Sequence, residues 1–280
     1  MSATMGYMCG RFAVTTDPAL LAEKIKAINE ATNVAKDAPG ANYNVAPTTT
    51  ISTVVKRHAE PDDDSTRRVR LMRWGLIPPW VKTGEDGAPN TKGPLLINAR
   101  SEKLTTSPAF RSSAKGKRCL IPMDGWYEWR PNGETAGTGG QERSDWGRRT
   151  GKKAPKTPFY MYGGDGELLF MAGLWSTWRP ARDPGAPSDV PPLLSCTIIT
   201  TDAAGPLAEV HDRMPLTISE RDWDRWLDPD APVDEGLLRG HGDLDRIEIR
   251  EVSRLVNSIR NNGPELIDPA EPEAEQATLL

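Results

Sequence analysis

The chain has 280 residues, with 39 Asp and Glu against 35 Lys and Arg, a net charge of −4, and 37% hydrophobic residues. That balance excludes a polycation, and no apolar run reaches the length needed to span a bilayer. Twenty-five Gly and 25 Pro argue against a helical bundle, and three cysteines (Cys9, Cys119 and Cys196) without CxxC spacing argue against a disulfide framework or a zinc cluster. The N-terminus lacks the basic and apolar regions of a secretory signal, so a soluble cytoplasmic protein is expected.

In chain order, Asp17 can cap a helix over 17–30, with Pro18 in its first turn and Leu21, Ile25 and Ile28 on one face. A turn-rich stretch around Asn42–Pro47 precedes strands over 49–56 and about 67–76. Ser107-Pro108 starts a short helix containing Phe110. Residues 118–129 predict a strand broken at Pro122 and Gly125. Residues 131–156 lack periodicity and, with Arg130, hold seven bases against three acids, which predicts a flexible surface insert.

Strands are expected again at 158–162, 167–177 and 193–201, the last two separated by a Pro-rich loop near 179–192. Ser219 is expected to cap a helix presenting Trp223, Trp226 and Leu227 on one face, residues 246–252 alternate like a strand, and 268–280 is an acidic tail expected to be disordered. Strands throughout with few helices predict an α+β, mainly β domain: a distorted barrel-like core with peripheral helices, monomeric.

Three polar side chains stand in apolar surroundings. Asn98 follows Leu95-Leu96-Ile97, Glu128 lies between Tyr127 and Trp129, and His211 follows Val210. Low polarity raises a carboxyl pKa toward neutrality and makes it a usable proton shuttle, and histidine titrates in the same range. Each also has a structural reading: a capped turn, a strand-surface charge, a hydrogen-bonded histidine. His58 and His241 fall in charged segments and are expected to be solvated. A cysteine at a free N-terminus offers an amine of pKa about 8 beside a thiol, which together can close a thiazolidine on an aldehyde. An internal Cys9 is instead a small buried hydrophobe. Arg11, Arg73, Arg100, Arg111, Arg118, Arg130 and Arg213 lie beside Trp, Pro or Gly turns, the composition of a single-stranded nucleic-acid groove or, equally, of ordinary surface. Trp74, Trp80, Pro47 and Pro78 are wedge candidates on the same argument.

The segments MCGRF, YNVAPT, RWGLIPPW, INARSEK, CLIPMDGWYEW, FMAGLW, IITTDA, HDRMP and VNSIRNNG stand in order over about residues 8–267. Together they resemble the SRAP (SOS response-associated peptidase) family of abasic-site processing proteins. The resemblance implies capture of abasic sites in single-stranded DNA, including at junctions with duplex, without metal or cofactor. It makes Cys9 the nucleophile, Asn98 the residue that orients sugar and cysteine, Glu128 the acid/base beside the N-terminal amine, and His211 the aid to ring opening. It implies DNA contacts from Arg11, Pro47, Trp74, Arg100, Trp126 and Arg213, an AP-lyase outcome of the same imine, autopeptidase activity, and a nucleoid location when bound to DNA. Residues 1–7 depart from the family pattern, in which the cysteine follows the initiator Met. They are expected to be a misassigned start or a removed leader. The readings kept beside this one are a Cys9–His211 thiol peptidase or amidase with Asn98 as orienter, and a non-catalytic single-strand binder.

Overall fold

The computed structural model describes residues 9–31, 40–132, 155–180, 191–240, 242 and 244–271. Among these residues thirteen strands form two sheets. The larger contains β2 (Ile28–Asn29), β4 (Thr50–Arg57), β5 (Thr66–Trp74), β7 (Arg118–Met123), β10 (Leu169–Trp178), β11 (Leu193–Asp202) and β12 (Arg213–Pro215), and β6 (Asn98–Arg100) pairs with β11. Pairing runs β5–β4–β7–β10–β11 and returns to β5 through Ser195↔Arg73 and Cys196↔Trp74. One seam of this ring is the single pair Val54↔Leu120. The core is therefore ring-like but not fully closed, as the expected distorted barrel would be. The smaller sheet has the order β13 (Ile247–Glu251), β9 (Lys156–Gly163), β8 (Gly125–Pro131), β1 (Arg11–Val14), β3 (Asn42–Val45).

The pleat sends alternate residues of a strand to opposite faces, and in the ring both faces are covered. Leu120, Phe170, Ala172, Leu174 and Ile199 pack under the helices α1 (Pro18–Lys24) and α3 (Trp223–Leu227), against Leu21, Trp223, Trp226 and Leu227. Their neighbours Cys119, Ile121, Met171, Trp175, Cys196 and Ile198 pack on the other face with Phe12, Trp74 and Trp126 of β1, β5 and β8. Burial on both faces explains why these strands show no clean polar alternation in sequence.

Several expected boundaries move. The helix expected over 17–30 ends at Lys24 because Lys26 takes a left-handed φ of 52°, and Ile28–Asn29 instead pairs with Arg68–Val69 at the sheet edge. Pro122 does not break its strand: β7 runs through it to Met123, opposite Phe170. The break is Asp124, whose carboxylate accepts from Thr15 N–H at 2.7 Å. At Gly125 any side chain would meet Met161 O at 2.3 Å, so only glycine lets β8 and β9 approach there. The expected insert is also shorter at both ends, since Pro131 and Lys156 pair within β8 and β9. Ser219 sits at its helix start but makes no side-chain cap bond, and Phe110 precedes rather than enters α2 (Arg111–Ala114). At the far end Pro269 bridges Val252 and Ala270 N–H donates to Glu251 O, so the first residues of the expected tail belong to the sheet margin. Most of that tail, most of the insert, residues 1–8 and His241 lie outside the described residues.

Candidate active site

The antiparallel register of β1 on β8 pairs Arg11 with Tyr127 and Phe12 with Trp126. One step further along the ladder, Glu128 arrives beside Gly10 and Cys9. Cys9 turns off the strand with φ 41°, an uncommon value for a residue with a side chain, and its N–H donates to Glu128 Oε1 at 2.5 Å. Both residues are buried, Glu128 at 2% exposure. Burial pushes the Glu128 carboxyl up to about 8, with the Cys9 N–H and Lys156 pulling against that and Asp212 adding to it. Burial, and then the Glu128 charge, hold the Cys9 thiol well above its ordinary range.

Asn98 and His211 reach the same end of the molecule from either side of β11. Asn98 opens β6, in parallel register with Ile198, while β12 pairs Thr201 with Met214 and Asp202 with Arg213. Ile97, Ile198, Val210 and Met214, which flank these two residues, share one apolar cluster with Cys9 and Trp126. His211 is a quarter exposed and follows a 3₁₀ turn, Gly205–Glu209. Its Nδ1 accepts from Arg213 N–H at 3.1 Å and lies 2.8 Å from Asp212 Oδ1. Burial lowers the His211 pKa, with Asp212 opposing it, so the ring is neutral near physiological pH.

The sequence matches the model of the SOS response associated peptidase (SRAP) family over residues 8–259. The chain belongs to this family. It is 34% identical over 270 residues to the abasic site processing protein YoqW of Bacillus subtilis (strain 168), covering 93% of this chain and 99% of that one. The abasic site processing protein HMCES of Gallus gallus is 32% identical over 252 residues, with 85% and 69% covered. A crystal structure of a Bacteroides thetaiotaomicron protein shares the fold with a TM-score of 0.70 at 21% identity, over 94% of this chain and 100% of that one.

Of the four residues expected to act in catalysis, the fold joins Cys9 and Glu128 directly and brings Asn98 and His211 to their margin. The expected DNA contacts divide differently. Trp74 is fully buried, donates Nε1–H to Ile97 O at 3.0 Å and meets Phe12 edge-on at 5.1 Å. Trp126 is 1% exposed. Neither can stack on a base in this conformation; both pack behind Cys9. Arg213 is buried and held by Asp202, Glu102 and Thr200 O. Arg11 donates to Asn44 Oδ1 and Val256 O, tying β1 to the VNSIRNNG segment. Arg118, one of the groove candidates, is buried among backbone carbonyls. Arg100 is exposed at the end of β6, Pro47 is half-buried beside Thr48 (φ 75°), and Trp80 is 63% exposed while Pro78 is buried. His58 is not simply solvated: Nε2 pairs with Asp230 at 2.9 Å and Nδ1 with Asp63 O at 2.5 Å.

Sequence reasoning passed over Lys156 and Asp212, the charges that act on both Glu128 and His211. Asp212 was visible beside His211. Lys156 was absorbed into the insert, and only the β8–β9 pairing brings it back to the site.

Proposed function

We propose that this family member captures abasic sites in single-stranded DNA by closing a thiazolidine through Cys9. The observation that carries the reading is the 2.5 Å contact between the Cys9 nitrogen and a buried carboxyl raised to about 8. A group of that pKa holds both protonation states near neutral pH, which proton shuttling requires.

The sugar opens to its C1′ aldehyde as the C1′–O4′ bond breaks, with neutral His211 taking the C1′ hydroxyl proton and delivering it to O4′. The Cys9 amine attacks C1′, and Glu128 carries its two protons in turn to the former aldehyde oxygen, first giving the carbinolamine hydroxyl and then the water that leaves as the C=N bond forms. Sγ then adds to the imine carbon while its proton passes to nitrogen, and the ring closes without oxidant or cofactor. Asn98 orients the sugar, and Arg100 and Pro47 meet the strand, including at a junction with duplex. Loss of the C2′ proton before closure would instead cleave the strand, the lyase branch. The scheme requires Cys9 to be the first residue. A start at Met8 with methionine removal, or cleavage of the leader by the protein itself, supplies that amine. A monomer working on DNA in the nucleoid fits this chemistry; no helix among the described residues is long and apolar enough to cross a membrane. A thiol hydrolase needs a cysteine that ionises readily. The raised Cys9 thiol favours amine chemistry over that alternative.

The test is denaturing intact mass after mixing with a single-stranded oligonucleotide carrying one abasic site. An adduct at the summed mass less one water is expected when Cys9 is the first residue. None is expected from the chain retaining residues 1–8, and no stable adduct from Cys9→Ala. An equal, stable adduct from Cys9→Ala, or none from any form, overturns the assignment.

A further inference from the structure

At the opposite end of the ring from Cys9 lies an open cavity of about 490 Å³ whose walls carry Arg57, His58, Arg68, Arg70, Lys117 and Arg179. It is lined by Leu194, at the start of β11, whereas Thr200, beside β6 and β12, is near that strand's other end. Six residues at about 3.3 Å each separate the two ends by on the order of 20 Å, so this is a different place from the Cys9 site.

The cavity is built rather than incidental. Arg57 Cζ and Lys117 Nζ lie 5.0 and 5.1 Å from the ring centroid of the buried Trp175, which holds two like charges against one aromatic. Glu30 bonds both Arg68 and Arg70, and His58 pairs with Asp230. Among the described residues, Arg57, Lys117 and Arg179 have no carboxylate partner. Burial and then the charges of Arg70 and Arg68 hold the Arg57 guanidinium below its ordinary range, and burial and Arg57 do the same to Lys117. Among the described residues, Glu30 offsets part of this charge, acting on Arg57 as well as bonding Arg68 and Arg70, and the remaining cations destabilise one another until an anion enters. Arginine forks match phosphate oxygens two at a time. No aromatic face is free here to stack a base, because the Trp175 ring is already covered by cations. The chemistry selects phosphate groups and not bases.

We propose that this cavity is a second, sequence-independent site for adjacent phosphates, separate from the Cys9 centre. The source is either the backbone of a nucleic-acid strand, which rests on the function proposed above, or a free polyphosphate compound.

The test is calorimetric titration of the full chain with inorganic pyrophosphate at low ionic strength. One-site binding is expected, weakened at least tenfold in Arg57→Gln/Lys117→Gln. Arg179→Gln, which leaves both cations over Trp175 in place, should weaken it as well and serves if the double variant fails to fold. No binding by the wild type, or equal affinity in the folded variants, overturns the proposal. Competition distinguishes the sources: an undamaged single strand long enough to reach both ends of the ring displaces pyrophosphate if the backbone is the ligand, and leaves it bound if a free phosphate compound is. Adduct formation on a short abasic oligonucleotide should be unchanged in these variants. Pyrophosphate binding without any adduct would count against the Cys9 scheme and leave this site standing.

Discussion

Burying Glu128 puts a cost into the fold that can be measured. Its carboxyl is raised from 4.5 to about 8 by burial. Below about pH 4.5 the folded and unfolded chains both hold this proton. As pH climbs toward 8 the unfolded chain loses it while the folded chain keeps it, so stability falls across that window and levels off above it. Glu128→Gln removes the ionisation. Its stability relative to wild type should rise between pH 5 and pH 9 by on the order of a few kcal/mol, read as the shift in urea midpoint; a constant difference across pH would mean the carboxyl is not perturbed. The same variant should slow adduct formation by roughly 10²–10⁴-fold and lose the pH–rate limb near 8. Cys9 adds a second consequence. Its φ of 41° costs about 1–2 kcal/mol for a residue with a Cβ. That dihedral exists only while a residue precedes Cys9, so exposing the amine releases the strain at the atom that attacks in the proposed scheme.

Among the elements, the arginines show how position in a fold decides what a charge does. Arg118 opens β7 and points its guanidinium at five carbonyls, those of Ala114, Lys115, Trp226, Asp228 and Ala231, fastening α2, α3 and the following turn to the ring. Arg118→Met would leave the buried carbonyls of Ala114 and Trp226 without this donor and should cost about 1–3 kcal/mol for each. Arg100→Gln, on an exposed strand end, should change stability by no more than about 0.5 kcal/mol while weakening binding to a single strand. Urea midpoints and strand affinities for the pair separate structural from contacting arginines; equal destabilisation would overturn the distinction. In sequence the two look alike, each in a Gly- or apolar-flanked motif. What made the strands and the collinear motifs legible was local: β-branched runs, turn residues, fixed order. Whether a side chain turns inward was not, because that depends on partners far along the chain. Trp74 finds Ile97 O and Arg213 finds Glu102 only after the ring forms. The Cys9–Glu128 contact spans 119 residues of sequence and rests on a register that no local pattern displays. Lys156 was missed for the same reason.

At the scale of the whole molecule, net charge of −4 means that attraction to a strand must come from local cations. Many candidates are already engaged: Arg11 on Asn44 and Val256 O, Arg118 on carbonyls, Arg213 on Asp202 and Glu102, and Arg73 on Gly75 O. A cation bonded inside the fold releases few counterions when a strand arrives. For a short single strand confined to the Cys9 end, the slope of log affinity against log salt should therefore be shallow, about −2 to −3, at roughly −0.7 per phosphate neutralised. The basic insert is the obvious objection, but the hairpin beneath it is closed without it: Pro131 pairs with Lys156, Asn132 N–H donates to Pro155 O at 2.9 Å, and Thr157 bonds Asn132 at 2.8 Å. Replacing 133–154 with a short Gly/Ser link should leave both the melting temperature and that slope unchanged, because strand pairing holds the ends and the proposed scheme has Arg100 and Pro47 meet the strand. A slope that becomes shallower by two or more on shortening would assign the insert a direct hold on phosphate. A fall in melting temperature would mean that the insert packs on the barrel as well as joining β8 to β9.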